Sequence, residues 1–217
     1  MFAGKTFINI IESPSKADRE AGRSEGKMLT AALDLAELPY LYSLVSNYQE
    51  FMAALGKWTV DAIARERVPV IHLSMHGSPN GLVLTDGHFL SWADLNWKFR
   101  MINVKLNHIL VVCLSSCNGL SGLQMLREEA YGMLENQPPF RLLVSNLDRV
   151  PWSDAAIAFS TFYHLLERGK NPLEMVSAMR VASANDAFFG LLIGNQPDEQ
   201  VIVLGSDQLR KAVDAVA

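Results

Sequence analysis

The sequence predicts an α/β domain, a three-layer α-β-α sandwich built on a mostly parallel central sheet. Three observations lead there. Short apolar runs rich in β-branched residues recur along the chain: KTFINII at Lys5–Ile11, VPVIHLSM at Val68–Met75 and NHILVVCLS at Asn107–Ser115. Segments with apolar residues at helical spacing separate them. The third run is almost continuously hydrophobic, as in a central parallel strand covered by helices on both faces. With 217 residues, 49% of them hydrophobic and 19% charged, the chain can bury a full core and fits one domain over residues 1–217.

The elements follow in order. Lys5–Ile11 is a first strand that stops at the turn-rich Glu12-Ser13-Pro14-Ser15. Met28, Leu29, Ala32, Leu33 and Ala36 place a helix over Glu25–Leu38, which Pro39 closes before Tyr40–Val45 becomes extended. Phe51, Met52, Leu55, Trp58, Ala62 and Ile63 define a helix over Tyr48–Arg65, where Gly56 costs roughly 1 kcal/mol. The third strand, Val68–Met75, ends at His76-Gly77-Ser78-Pro79. Leu82–Leu84 and His88–Leu90 flank Thr85-Asp86-Gly87, a tight hairpin signal. Ser91 and Asp94 have the capping-box spacing of a helix through Arg100.

Asn107–Ser115, the fourth strand, ends at Ser116-Cys117-Asn118-Gly119. A helix from about Gly122 to Glu135 is broken by Pro138-Pro139, and Phe140–Ser145 is a fifth strand. Ser153 caps a long helix to Glu167, Gly169 terminates it, and Asn171-Pro172 opens another with proline at its first position. Gln200–Leu204 is the last strand, ahead of a short helical tail. There is no internal repeat, low-complexity tract or linker.

Charge and cysteine usage narrow the function. A net charge of -4 and a pI near 5.7 give no basic patch for nucleic acid. The stretch Lys16–Lys27 alternates its cations with Asp18, Glu20 and Glu25 and reads as a solvated loop. Without a signal-like N-terminus or a membrane-length apolar segment, the expected location is cytoplasmic, with no membrane partner. Cys113 and Cys117 stand four apart in one strand-like run, too far for a disulfide, and their number and spacing do not make a zinc site. Free thiols suit a reducing compartment.

In open α/β sheets ligands bind beyond the carboxyl ends of the strands. His76 ends the third strand and Cys117 the fourth, so neighbouring strands would bring both to one edge. The glycines that follow let the backbone turn, and the amides of Gly77 and Cys117 are positioned to form an oxyanion hole. A thiol with a pKa near ~8.5 is only a few per cent thiolate at neutral pH, and an adjacent imidazole favours the anion. His76 can also protonate the leaving amine. Cys113, among Val111, Val112 and Leu114, reads as core, and His72 as a satisfied interior histidine. His88, His108 and His164 receive no role.

The segments VPVIHLSMHGSPNGLVLTDGHFLSWADL and HILVVCLSSCNGLSG resemble the caspase-like cysteine peptidases, in particular the CHAT subgroup: a strand ending in His-Gly, a small hairpin with an Asp-Gly turn, a helix, then an apolar strand ending in Ser-x-Cys-x-Gly. FRLLVSNLDRVPWSDAAIAFSTFYHLLERGKNPLEMVSAMRVAS and QVIVLG are similar to the elements that follow. The resemblance runs from Val68 to Gly205, and more loosely over the first two strands. It implies a caspase-like fold, a Cys/His peptidase dyad at His76 and Cys117, a protein or peptide substrate, a separate recruiting or activating protein, and no metal or organic cofactor. Ser-Ser-Cys-Asn-Gly stands where animal caspases carry Gln-Ala-Cys-x-Gly, so their preference for aspartate is not implied.

Asp148 and Asp154 follow the fifth strand, where such enzymes build part of the pocket for the residue preceding the scissile bond. A carboxylate buried there would favour Arg or Lys. Glu12, after the first strand, is a candidate of the same kind, Arg149 has the opposite polarity, and Trp152 lies in the pocket loop. Asp154 also suits a helix N-terminus. Two other readings stand beside the peptidase. One is a catalytically silent caspase-like interaction module. The other, a flavodoxin-like nucleotide binder, lacks a phosphate-cradling glycine loop after the first strand. Thiol redox chemistry is disfavoured by the four-residue cysteine spacing.

Overall fold

The computed structural model describes residues 6–65, 67–128, 134, 136–194 and 202–204. Its elements run β1 (Thr6–Ser13), α1 (Lys16–Glu20), α2 (Glu25–Leu35), β2 (Tyr40–Leu44), α3 (Tyr48–Arg65), β3 (Val68–Ser78), β4 (Gly81–Val83), β5 (Phe89–Ser91), α4 (Trp92–Lys105), β6 (Val111–Ser115), a 3-10 helix (Gly119–Leu126), β7 (Leu142–Asn146), α5 (Trp152–Glu167), α6 (Pro172–Ser183), β8 (Phe188–Leu192) and β9 (Ile202–Leu204). The sheet order is β2-β1-β3-β6-β7-β8-β9, parallel from β2 to β7, with β4 and β5 hung antiparallel on the end of β3.

Side-chain alternation along the strands sends one set of apolar residues to each face. Ile71, Leu73, Val112 and Leu114 pack against Phe51, Leu55 and Trp58 of α3 and Leu95 and Phe99 of α4. On the other face Val70, Val111 and Val144 meet Leu29 and Leu33 of α2, Phe159, Phe162 and Tyr163 of α5, and Met175 and Met179 of α6. This is the three-layer sandwich with a mostly parallel sheet that the sequence predicts. No helix among the described residues is long and apolar enough to cross a membrane.

Local chemistry sets several boundaries. The hairpin turns at Asp86-Gly87, where Gly87 has φ 91°, and α4 starts with the capping box of Ser91 and Asp94. Asn171 caps α6 by accepting from the Glu174 amide at 2.9 Å, with Pro172 in the first turn.

Other expectations are corrected. β1 continues to Ser13, because Glu12 lies in register with Leu44 on one side and Ser74 on the other. β3 runs through His76 to Ser78 to pair with β4. Part of the expected loop at 16–27 is helical, as Ser15 caps α1 by accepting from the Asp18 amide. β6 starts only at Val111, since Asn107 and His108 are left-handed at φ 53° and 60°. A 3-10 helix stands where an α-helix from Gly122 was expected; 129–133 and 135, in its remainder, lie outside the described residues. Ser153 does not cap α5: Pro151 holds that position, and the Ser153 hydroxyl bonds Asp154 instead. β8 was not foreseen; it pairs antiparallel with β7 and with β9. The expected tail, 205–217, lies outside the described residues.

Phe159 is fully buried, edge-on to His72 at a 4.8 Å centroid distance and to Phe188 at 5.9 Å. Phe159→Ala is expected to cost about 3–5 kcal/mol in urea denaturation. Gly56→Ala, where an added methyl meets nothing within 4 Å, is expected to stabilise, by about 0.5–1 kcal/mol.

Candidate functional site

β3 and β6 are parallel neighbours with Ser74 in register with Ser115, so both strands reach the same sheet edge. Beyond that edge the chains are held very close. A methyl group added at Gly77 would lie 2.0 Å from the Cys117 carbonyl oxygen and 3.0 Å from Ser116 Cβ. Gly77 is therefore the residue that lets the two strand ends touch. After Cys117 the sharp turn falls on Asn118, left-handed at φ 57°, as asparagine tolerates better than most residues. Gly119 serves packing instead, since a methyl there would stand 1.9 Å from Ser145 Oγ of β7.

The result is a narrow cleft at the carboxyl ends of β3, β6 and β7, closed on one side by the start of α5. His76 and Cys117 line it together, with Ser115, Ser116, Asn146 and Trp152 around them. The His76 side chain is 49% exposed and Cys117 is half-buried. Among the described residues no hydrogen bond joins Cys117 Sγ to the imidazole.

The polar neighbour of His76 is Asp18 of α1, whose Oδ2 lies 3.5 Å from Nε2. Asp18 is itself fixed: the Ser15 hydroxyl donates to it at 2.6 Å and Arg23 Nε lies 3.2 Å away. The Ser15 hydrogen bond, foremost, holds the Asp18 carboxyl below its ordinary value, with Arg23 and His76 adding to the effect and partial burial opposing it.

Below the cleft, on the face of α2 and α5, lies a buried polar chain. Glu25 Oε2 accepts from Ser74 Oγ at 2.6 Å and from Ser115 Oγ at 2.8 Å. Its Oε1 is 3.6 Å from His72 Nε2, and His72 Nδ1 is 2.6 Å from the Tyr163 hydroxyl. Cys113 adjoins Tyr163, and burial pushes both the thiol and the phenol well up, so neither ionises near neutrality. His72 and Cys113 are interior groups, as their places within the strands indicated.

The sequence-predicted residues separate here. His76, Cys117 and Trp152 share the cleft, and Gly77 abuts the Cys117 carbonyl. Asp148, Asp154 and Glu12 do not line it. Asp148 is exposed on the loop after β7, where its carbonyl accepts from Asn146. Asp154 accepts from Asn185 Nδ2 at 3.0 Å. Glu12 is fully buried between β1, β2 and α2, taking bonds from Ser24 Oγ at 2.7 Å, the Gly26 amide at 3.1 Å and the Tyr42 hydroxyl at 2.7 Å. Burial first, and the bond to Glu12 second, pushes the Tyr42 phenol up to about 12.

Two residues near the cleft, Asp18 and Glu25, escaped sequence reasoning. The Ser15-x-x-Asp18 spacing was an available capping signal. Nothing local marks Glu25, because Ser74 and Ser115 are distant in sequence.

No family model and no curated protein matches the chain. Among solved structures it is similar to Raptor from Chaetomium thermophilum, with a TM-score of 0.47 and 11% identity, over 81% of this chain and 18% of that one. The chain thus spans under a fifth of that protein's length, and a likeness at this level assigns neither activity nor partner.

Because the backbone oxygen of Cys117 cannot swing away as a side chain would, Gly77→Ala is expected to cost about 1–3 kcal/mol. Thermal denaturation should show a lowered midpoint, and alkylation of Cys117 a changed rate.

Proposed function

We propose that the chain is a caspase-like cysteine endopeptidase of the CHAT type, acting on a specific protein substrate. The observation that carries this reading is the meeting of His76 and Cys117 in one cleft at the carboxyl edge of adjacent parallel strands. A free thiol and an imidazole at that edge suit nucleophilic acyl transfer.

The Cys117 thiol gives up its proton to His76, and the thiolate attacks the carbonyl carbon of the scissile amide, forming the C–S bond. The tetrahedral oxyanion collapses, the C–N bond breaks, and His76 returns the proton to the leaving amine. Water, deprotonated by His76, then attacks the thioester; the C–S bond breaks and Cys117 leaves as the thiol, with a carboxylic acid as second product. Asp18 acts as a positioning residue in this scheme. It faces Nε2, and its negative charge favours the imidazolium formed in each half-reaction. The oxyanion donors are the Gly77 and Cys117 amides at the junction the two strand ends make.

One observation favours a second reading. His76 is paired with Asp18, and Cys117 Sγ makes no hydrogen bond to it, which fits a catalytically silent module of the same fold that binds a partner protein. Hydrogen bonds of catalytic groups are often long before substrate binds, so this geometry is compatible with the peptidase.

Alkylation followed by peptide mapping separates the two. In the peptidase, Cys117 reacts readily below pH 8 and at least about tenfold more slowly in His76→Ala, with buried Cys113 as the internal control. A Cys117 that reacts no faster than Cys113, or is indifferent to His76, leaves the silent module. Asp18→Asn is expected to slow Cys117 by less than His76→Ala does.

The lowered Asp18 pKa also has a sign. Its contribution to stability is complete above the unfolded carboxylate value of about 3.9 and is lost as pH falls through the lower folded value. The stability gap between wild type and Asp18→Asn should therefore be full at neutral pH and shrink below about pH 4, as read by urea denaturation.

A further inference from the structure

α4 is apolar on both sides. Its inner side, with Trp92, Leu95, Phe99 and Ile102, is buried in the core. Its outer side carries Trp97, Met101 and Val104, which are 48%, 38% and 36% exposed. Their spacing stacks them along one face over two turns, and exposed Ala93 continues the line toward the helix start. No other helix among the described residues leaves three large apolar side chains open. A helix that is apolar all round is one that is covered on both sides. A contiguous exposed stripe, unlike scattered single residues, marks a contact surface.

Opposite charges stand at the two ends of the stripe. Asp94 lies at its start and Lys105 at its end, both exposed, and neither forms an ion pair among the described residues. Asp94 uses Oδ2 in the capping box, accepting from the Ser91 hydroxyl at 2.6 Å, which leaves Oδ1 open. Lys98, between them, is drawn aside over the Tyr48 ring, 5.5 Å from its centroid. The helix is tied down from beneath: Asn96 Nδ2 donates to the Met125 carbonyl, and Arg100 to the Glu128 carbonyl at 3.1 Å. The stripe is therefore presented on a fixed backbone, which lowers the entropy lost on contact.

We propose that this stripe is the contact of a two-fold dimer, in which α4 of one copy packs antiparallel on α4 of a second. An axis near the middle of the helix sets Trp97 against Met101 of the second copy and Ala93 against Val104, and repeats each pair on its other side. The flexible Met101 side chain conforms to the rigid indole, and its sulfur gains from an aromatic neighbour. The same alignment brings Asp94 to Lys105 of the second copy, twice over. Parallel helices would instead set Asp94 on Asp94 and Lys105 on Lys105. Exposed ion pairs add little affinity, but they select the orientation. Lys98, which would otherwise meet its own counterpart near the axis, is held off by Tyr48. Two helices of this length bury less than the ~1,200 Å² of a stable interface, so the dimer is weak and concentration-dependent. None of these residues lines the cleft, and the inference stands apart from the peptidase reading.

Sedimentation equilibrium between about 1 and about 300 μM protein reads the contact directly. The expected result is an average mass that rises from the monomer's 24.0 kDa toward twice that value. Met101→Glu puts a charge into the seam from an exposed position, and is expected to weaken association at least about tenfold while leaving the urea midpoint unchanged. Lys105→Glu is expected to weaken it by about threefold. Should Met101→Glu lower the midpoint, Val104→Glu makes the same comparison. A mass that stays at 24.0 kDa throughout, or a dimer indifferent to the glutamate in the seam, overturns the inference. A dimer kept in Met101→Glu but lost in Leu44→Lys pairs through the edge strand β2 instead, which also overturns it. Unchanged or tighter association in Lys105→Glu overturns the antiparallel alignment. Because the readout is mass, a protein whose Cys117 proves inert is tested equally well.

Discussion

The position of every group in the cleft depends on the parallel registration of β3 with β1 on one side and β6 on the other. Thr6–Ser13 pairs with Val68–Met75, and Val70–Ser74 with Val111–Ser115, so β1 and β6 end at nearly the same level on either side of β3. A strand has a side-chain period of two, and slipping either pair by one residue would exchange the two faces. Ser74 and Ser115 would then leave Glu25, and Leu73 and Leu114 would leave the core against α3 and α4. The apolar faces thus enforce the polar alignment. Gly77 continues this constraint past the sheet by allowing the Cys117 carbonyl to sit against its Cα.

A buried carboxylate is an expensive feature unless hydrogen bonds replace its water. Glu25 has two hydroxyl donors at good distance and the His72 ring just beyond it, while Glu12 has three donors of its own. Both acids anchor the start of α2 to the sheet, Glu12 through the Gly26 amide and Glu25 through the serines at the ends of β3 and β6. Packing allows little else: a methyl added at Gly26 would come within 2.5 Å of Tyr42 Cε2 and 2.8 Å of Glu12 Oε2. The approach of α2 to the strand ends is fixed by polar ties and by the absence of a side chain at that position.

The sequence was most legible where the determinants are local. Asp86-Gly87, Ser91 with Asp94, and Asn171-Pro172 each announce a turn or cap whose chemistry is complete within a few residues. The cleft pair was legible for a related reason: a polar residue at the end of an apolar strand, followed by glycine, marks an edge in any parallel sheet. Glu25 was not, because charge alternation over 16–27 has the signature of a solvated loop, and its burial comes from strands far along the chain. β8, FFGLL at Phe188–Leu192, is short and interrupted by Gly190, and its identity as a strand comes from pairing with β7 and β9. The 3-10 helix after Cys117 follows from the left-handed Asn118 and the tight seat of Gly119, neither visible in hydrophobic spacing.

The sheet order has a kinetic corollary. β1 and β3 pair across the whole of α1, α2, β2 and α3, and β3 and β6 pair across the hairpin and α4, so each junction closes a long loop before it is rewarded. Cys117 is translated well after His76, and the two meet only when both crossovers have closed. In a nascent or partly folded chain the two side chains are still apart. Closure of the folded core is then itself the event that forms the cleft, and any chain stalled before it exposes the Val111–Ser115 run to aggregation.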